Sequence, residues 1–272
     1  MFVIDSQHYN ALMQNINFTK KHQPQFLDEF DKVYRNNMHL APFFTDIKAF
    51  ADNPNNPEII IIKKGTNLLL SANTACDTYD NMLREFLTGC FCEGNEALWL
   101  HLSTESLKTK INVIFSDHNR EDLNRYNFRL NIESFKKLPN WRTQIPNGFS
   151  IEYFDAYSID FRKKHGKTDE AFFPESKRFA FVAIFEDTII SECFSVIVDD
   201  NIVEIGIHTY DERFKKRGLA FLTSAAFIEY CINNNLETNW GCDCNNFASV
   251  SLAKKLGYEL LNEDTGIKIY GK

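Results

Sequence analysis

Asp211-Glu212-Arg213-Phe214-Lys215-Lys216-Arg217-Gly218-Leu219-Ala220 is the stretch on which the reading of this chain turns. The run before it, Ile202-Val203-Glu204-Ile205-Gly206-Ile207, is β-branched and apolar and reads as a buried strand. The run after it, from Leu219 to Cys231, lacks Gly and Pro and is apolar on nearly every face, so it reads as a helix buried between other elements. The turn between them is electrostatically odd. A helix N-terminus carries partial positive charge and favours acids by roughly 0.3–1 kcal/mol, yet Arg213, Lys215, Lys216 and Arg217 crowd this one. Such crowding makes sense if an anion sits there. Unbonded amides of a first helical turn, a glycine permitting close approach and a ring of cations together form a phosphate cradle.

Two motifs resemble a known family. Lys215-Lys216-Arg217-Gly218-Leu219-Ala220 resembles the pyrophosphate loop of the GNAT acetyltransferase superfamily, Arg/Gln-x-x-Gly-x-Gly/Ala. Asn246-Phe247-Ala248-Ser249-Val250-Ser251-Leu252-Ala253-Lys254-Lys255-Leu256-Gly257-Tyr258 resembles its second signature, an Asn-x-x-Ala/Ser start followed by an aliphatic helix that ends in Leu-Gly-Phe/Tyr. The wording around them is most like the branch that includes zwittermicin A resistance acetyltransferases, and the detailed likeness runs from about Phe149 to Tyr270. The resemblance implies a C-terminal GNAT fold over 145–272, an α/β (α+β) architecture with a mixed, mostly antiparallel sheet flanked by helices. A smaller α/β domain over 1–140 precedes it, which the family's length lets one read as a degenerate GNAT-like module.

The same resemblance implies acetyl-coenzyme A as donor and a small-molecule amine as acceptor. Carried onto this chain, the pantetheine arm is bonded by His208, Thr209 and Tyr210. The diphosphate falls to the amides from Lys216 through Arg217, Gly218, Leu219 and Ala220 to Phe221, with Lys215 adding charge. Asn246 is a favourable cap for the following helix and touches the pantetheine, and Ser249 and Ser251 keep the helix small where the cofactor approaches. Several family members keep a carboxylate base where Glu204 stands, and a carboxylate inside an apolar run must be partnered or face a cleft. Glu204 is therefore read either as a base acting through water or as half of a structural pair; His208, on the same strand face, is the second candidate base.

Two departures stand out. Lys215 replaces the usual Arg or Gln and loses a bidentate fork. Ala253 stands where many members carry a tyrosine that reprotonates the leaving thiolate. Three readings stay open: the thiolate leaves unaided, Tyr210 or Tyr258 donates instead, or the chain is a silent coenzyme A binding module.

The totals agree with an enzyme of this kind. With 272 residues, 44% of them hydrophobic, the chain can build one large or two ordinary cores. A net charge of −7 argues against a general nucleic-acid binder and suits a cationic substrate. No apolar run approaches a membrane span and Met1 to Asn10 lack the features of a signal peptide, so a cytoplasmic protein without membrane attachment is expected. The seven cysteines read as free thiols. Cys90/Cys92 and Cys242/Cys244 lack a histidine set that would complete a zinc site, so no metal is expected.

Along the chain, Gln25 to Asn37 has helical spacing, Ala51 to Pro57 is a loop by composition, and Ile59 to Lys63 with Asn67 to Ser71 reads as a hairpin. Thr78 to Thr88 reads as helix, and Ala97 to Leu102, Asn112 to Phe115 and Phe128 to Ile132 as strands. The Pro/Gly-punctuated connection around 140–145 is taken as the domain junction. Beyond it come a strand at Phe149 to Phe154, a helix over 155–165, and strands at Arg178 to Glu186 and Thr188 to Val198.

Overall fold

A computed structural model of the chain describes residues 2–4, 48–52, 58–72, 79–92, 94–154, 179–199 and 201–272. The helices expected at 25–37 and 155–165 and residues 53–57 of the loop expected at 51–57 lie outside them, whereas Ala51 of that loop belongs to a strand. The chain divides into two compact units, Met1–Arg125 with Glu263–Lys272, and Tyr126–Asn262. Two strands, β6 (Arg120–Leu130) and β12 (Tyr258–Tyr270), carry the chain from one unit to the other.

The first unit begins with an antiparallel run, β1 (Phe2–Ile4), β2 (Lys48–Ala51), β3 (Ile59–Lys64) and β4 (Asn67–Ala72). Gly65, at φ 53°, makes the tight turn of the expected β3–β4 hairpin. Helix α1 (Asp80–Cys92) then leads to β5 (Ala97–Leu102), which lies parallel to β4, and the end of β12 closes antiparallel on β5. Helix α2 (Glu105–Ile114) corrects the strand expected at 112–115. Thr104 Oγ1 accepts the Leu107 N–H at 3.1 Å, and Leu107, Ile111 and Ile114 follow at helical spacing into the core. The short apolar run is the last turn of that stripe.

The second unit repeats this order. Strands β7 (Phe149–Phe154), β8 (Ala180–Phe185), β9 (Thr188–Asp199) and β10 (Ile202–Thr209) form an antiparallel run. Glu186 and Asp187, both at positive φ, make the two-residue β8–β9 turn that a right-twisted hairpin requires. Helix α4 (Leu219–Asn233) leads to β11 (Glu237–Asp243), parallel to β10, and α5 (Phe247–Lys255) follows. Phe221, Leu222, Ala225, Phe227, Ile228 and Cys231 of α4 pack on Val203, Ile205, Trp240 and Cys242 of the sheet, which explains a helix apolar nearly all round.

The connection expected to separate two domains at 140–145 lies inside this second unit. Asn131 caps the short α3 (Ile132–Lys136), and Phe135, Leu138 and Trp141 pack against the core. Trp141 Nε1 donates to Glu229 of α4 at 3.2 Å, and Arg142 pairs with the same carboxylate at 2.7 Å. The Pro and Gly residues shape a packed segment here. Among the described residues, no helix is long and apolar enough to cross a membrane.

Candidate active site

Strands β10 and β11 start as a regular parallel pair, Ile202↔Glu237, Val203↔Thr238 and Glu204↔Asn239, and keep no register beyond it. At the same level the β9–β10 pairing shifts between Glu204 and Ile205. Such an irregularity bends a strand and raises its twist. The two parallel strands therefore part in a V whose vertex is Glu204.

Glu204 is 5% exposed, and Asn239 Nδ2 donates to its Oε2 at 2.6 Å. Asn239 was not singled out by the sequence, although its place on the adjoining strand makes it the natural neighbour.

Above the vertex the V opens into a cavity of about 520 Å³. Its walls include His208, Thr209, Lys215, Lys216, Gly218, Leu219, Ala220, Phe221, Asn246 and Ser249, all expected at the cofactor site. Ser251, expected with Ser249 as a small residue at the cofactor, lines it too, and Ile207, Trp240, Leu252 and Lys255 join them without having been foreseen. Two expected residues stand apart. Arg217 turns its guanidinium towards the Phe214 ring, 5.3 Å from the centroid, and Tyr210 has its N–H committed to Ile190 O at 3.0 Å. The Tyr210 amide therefore cannot also bond a pantetheine arm.

At the mouth of the cavity Gly218 adopts φ 83°, ψ 0° and offers α4 no side-chain cap. The first helical hydrogen bond runs from Leu222 N–H to Gly218 O, so the amides of Leu219, Ala220 and Phe221 lie ahead of the ladder. Lys216 is also left-handed, at φ 60°. The charges are not equivalent. Asp211 holds Arg213 at 2.6 Å, which raises the guanidinium pKa, and Glu212 pairs with Lys215. Lys216 and Arg217 have no acidic partner among the described residues, so theirs is the charge left for an anion.

Asn246 caps α5, accepting the Ser249 N–H at 3.1 Å. Ser249 Oγ accepts from Trp240 Nε1 at 3.1 Å and so fixes the indole on the cavity wall. Cys242 is buried in the core and Cys244 half-buried just past β11. No group of three or more His, Cys, Asp or Glu side chains stands together among the described residues as a metal ion would need.

A strand pair opened over a glycine-started helix is the geometry expected from the loop motif, and comparison with known proteins agrees. The sequence profile of the GNAT acetyltransferase family matches residues 45–266. The chain belongs to that family. It is 25% identical over 228 residues to an N-acetyltransferase of Bacillus subtilis, named only as the uncharacterized YdfB, spanning 80% of this chain and 83% of that one. Among solved structures, a GCN5-related N-acetyltransferase-like protein from Streptococcus suis superposes with a TM-score of 0.61 at 17% identity, covering 90% of this chain and 99% of the other. A tandem GNAT protein from the clavulanic acid biosynthesis pathway gives 0.60 at 8% identity, with 84% of each chain covered. These two likenesses are of fold.

The GNAT chain described here is thus an N-acetyltransferase, of a family whose acetyl donor is acetyl-coenzyme A. Its residues bear on the missing family tyrosine. Ala253 is fully buried in the core of the second unit. Tyr258, one of the stand-ins considered, is enclosed too; burial pushes its pKa well up, and it shares a 2.6 Å hydrogen bond with Thr238. Tyr210, half-buried at the end of β10, lies with its ring 4.4 Å from that of His208, and its hydroxyl donates to Glu192. The sequence reading had passed over Glu192 altogether.

Proposed function

We propose that this V-shaped site transfers the acetyl group of acetyl-coenzyme A to the primary amine of a small molecule. The opening of β10 from β11 onto an uncapped, cation-rich helix start carries this reading. Amides of Leu219, Ala220 and Phe221 with Lys216 and Arg217 bind the diphosphate. Backbone groups of His208 and Thr209, along the edge of β10 that β11 has left, hold the pantetheine arm. A backbone N–H near His208 polarises the thioester carbonyl.

Glu204 takes the proton of the attacking ammonium through a water. His208, exposed on the same strand face, is the second candidate for that step. Tyr210 returns a proton to the departing sulfur. The resemblance to the zwittermicin A resistance branch points to an amino-bearing antibiotic or metabolite as acceptor, in a cytoplasmic enzyme.

Calorimetry with acetyl-coenzyme A, followed by thiol release with a panel of primary amines, tests the reading. Binding and turnover are expected. Glu204→Gln should lower turnover about 100-fold or more with donor affinity intact. Failure to bind would overturn the proposal, and binding without turnover on any amine would leave a silent coenzyme A module.

A further inference from the structure

Glu192 sits on β9 with 0% exposure, a carboxyl enclosed between Ser191 and Cys193. Burial of an acid on this scale is costly unless the group is neutral or well bonded. It pairs across the ladder with His208 on one side and with Val182 on the other. Tyr210, two residues past His208, donates its hydroxyl to Glu192 Oε1 and lays its ring against the imidazole. A buried acid, a phenol and a histidine are thus joined at the end of the strand where acyl transfer is proposed.

We infer that Glu192 is the positioning residue behind Tyr210: it holds the phenol at the end of β10 and supplies the proton that Tyr210 passes to the leaving thiolate. The inference rests on the acetyl-transfer reading above. Protons balance along the pair. The sulfur takes the phenolic proton of Tyr210, the Tyr210 oxygen takes the carboxyl proton of Glu192, and the Glu192 carboxylate is reprotonated from water.

Chemistry favours the pair over the phenol alone. An ordinary phenol, with a pKa of about 10, would donate uphill to a thiolate whose conjugate acid has a pKa of about 8.5. Burial raises the Glu192 pKa to about 7, against a lesser lowering by the Tyr210 hydrogen bond, so the same transfer runs downhill from the carboxyl. While Glu192 is protonated its O–H can donate to Tyr210 Oη, which frees the phenolic O–H to donate elsewhere. Once ionised, Glu192 instead accepts that O–H and withholds it. Other titratable groups near Glu192 among the described residues are His208, across the ladder, and Cys193 on the opposite strand face.

Two measurements test the inference. In infrared spectra of the full chain without substrates, the carbonyl band of a protonated carboxylic acid should persist to about pH 7, because the Glu192 pKa lies there, and should vanish in Glu192→Gln. With an amine that the wild type acetylates, kcat should fall as pH rises through about 7. Glu192→Gln and Tyr210→Phe should each lose that limb and about tenfold or more in kcat, with KM for acetyl-coenzyme A unchanged. Should Glu192→Gln fold poorly, Tyr210→Phe leaves the carboxyl in place and decides the matter. Absence of the band, or variants that keep the wild-type pH limb, would overturn the inference while acetylation stands. A wild type that acetylates no amine would remove the acetyl-transfer reading and this inference with it.

Discussion

The two units share an order of elements and differ in how the fourth strand meets its parallel neighbour. Each has four antiparallel strands, a helix and a strand parallel to the fourth. In the first unit β4 and β5 stay paired from Asn67↔Trp99 to Leu70↔Leu102, and the next residues remain joined by Ser103 N–H to Leu70 O and by a 3.0 Å bond between Ser71 and Ser103. In the second unit β10 and β11 part after three pairs. The first helix opens with Asp80, held by Lys110 at 2.7 Å, whereas the second opens at Gly218 with no acid in its first turn. An anion is repelled at one helix start and invited at the other. Topology alone therefore does not make the site. Parted strands and an unblocked helix start do.

The largest effect should come from closing that helix start. A β-branched residue at Gly218 meets no steric obstacle but is strained at its left-handed φ, by roughly 1–2 kcal/mol. Relief of that strain would turn the first-turn amides aside. Gly218→Val should cost acetyl-coenzyme A about 1,000-fold in affinity, as expected for losing two charge-assisted bonds of about 2 kcal/mol each. Asp80→Asn in the first unit, measured beside it by the same calorimetry, should leave affinity unchanged. Equal losses in both variants would break the contrast between the units.

Much of the second unit was legible because its signals are local. The basic turn, Gly218, the Asn246 cap and the apolar helix each report their own geometry within a few residues. What was missed depends on tertiary partners. The run at 112–115 looked like a strand because a short apolar segment has no period of its own. Only Thr104 upstream and the Leu107, Ile111, Ile114 spacing reveal the helix. The junction at 140–145 was misplaced because Pro and Gly mark a bend equally well in a linker and in a packed segment, and Trp141 with Arg142 binds Glu229 far along the chain. Glu192 carried a weaker signal than Glu204, an acid in a strand interrupted by Ser191 and Ser195, and its meaning needed the β9–β10 register that sets it across from His208.

Buried titratable groups sharpen the comparison at intermediate size. Burial, helped by Arg125, lowers His101 of the first unit from 6.5 to about 4, while burial raises Glu192 of the second from 4.5 to about 7. The signs are opposite. The folded state binds fewer protons than the unfolded at His101, so that contribution is present above pH 6.5 and lost as pH falls through about 4. It binds more at Glu192, so that contribution is present below pH 4.5 and lost as pH rises through about 7. Each is worth about 3 kcal/mol at most. In denaturant titrations Glu192→Gln should match the wild type near pH 4.5 and exceed it above pH 7. His101→Gln should flatten the acid limb instead. One group guards a core and the other adjoins a site, so a shifted pKa by itself does not separate them.

The smallest effect concerns where the second unit begins. Arg142 and Glu229 form a 2.7 Å pair with side-chain exposures of 55% and 36%, and an exposed pair of this kind contributes about 0.2–1 kcal/mol. Arg142→Ala should therefore lower stability by about 0.5 kcal/mol, less still in high salt. Trp141→Ala removes an aromatic side chain packed against the core cluster that includes α4 and should cost clearly more. If 140–145 were a free linker between domains, both substitutions would be silent. A loss confined to Trp141→Ala assigns the segment to the second unit by its packing, with the surface charge pair contributing little.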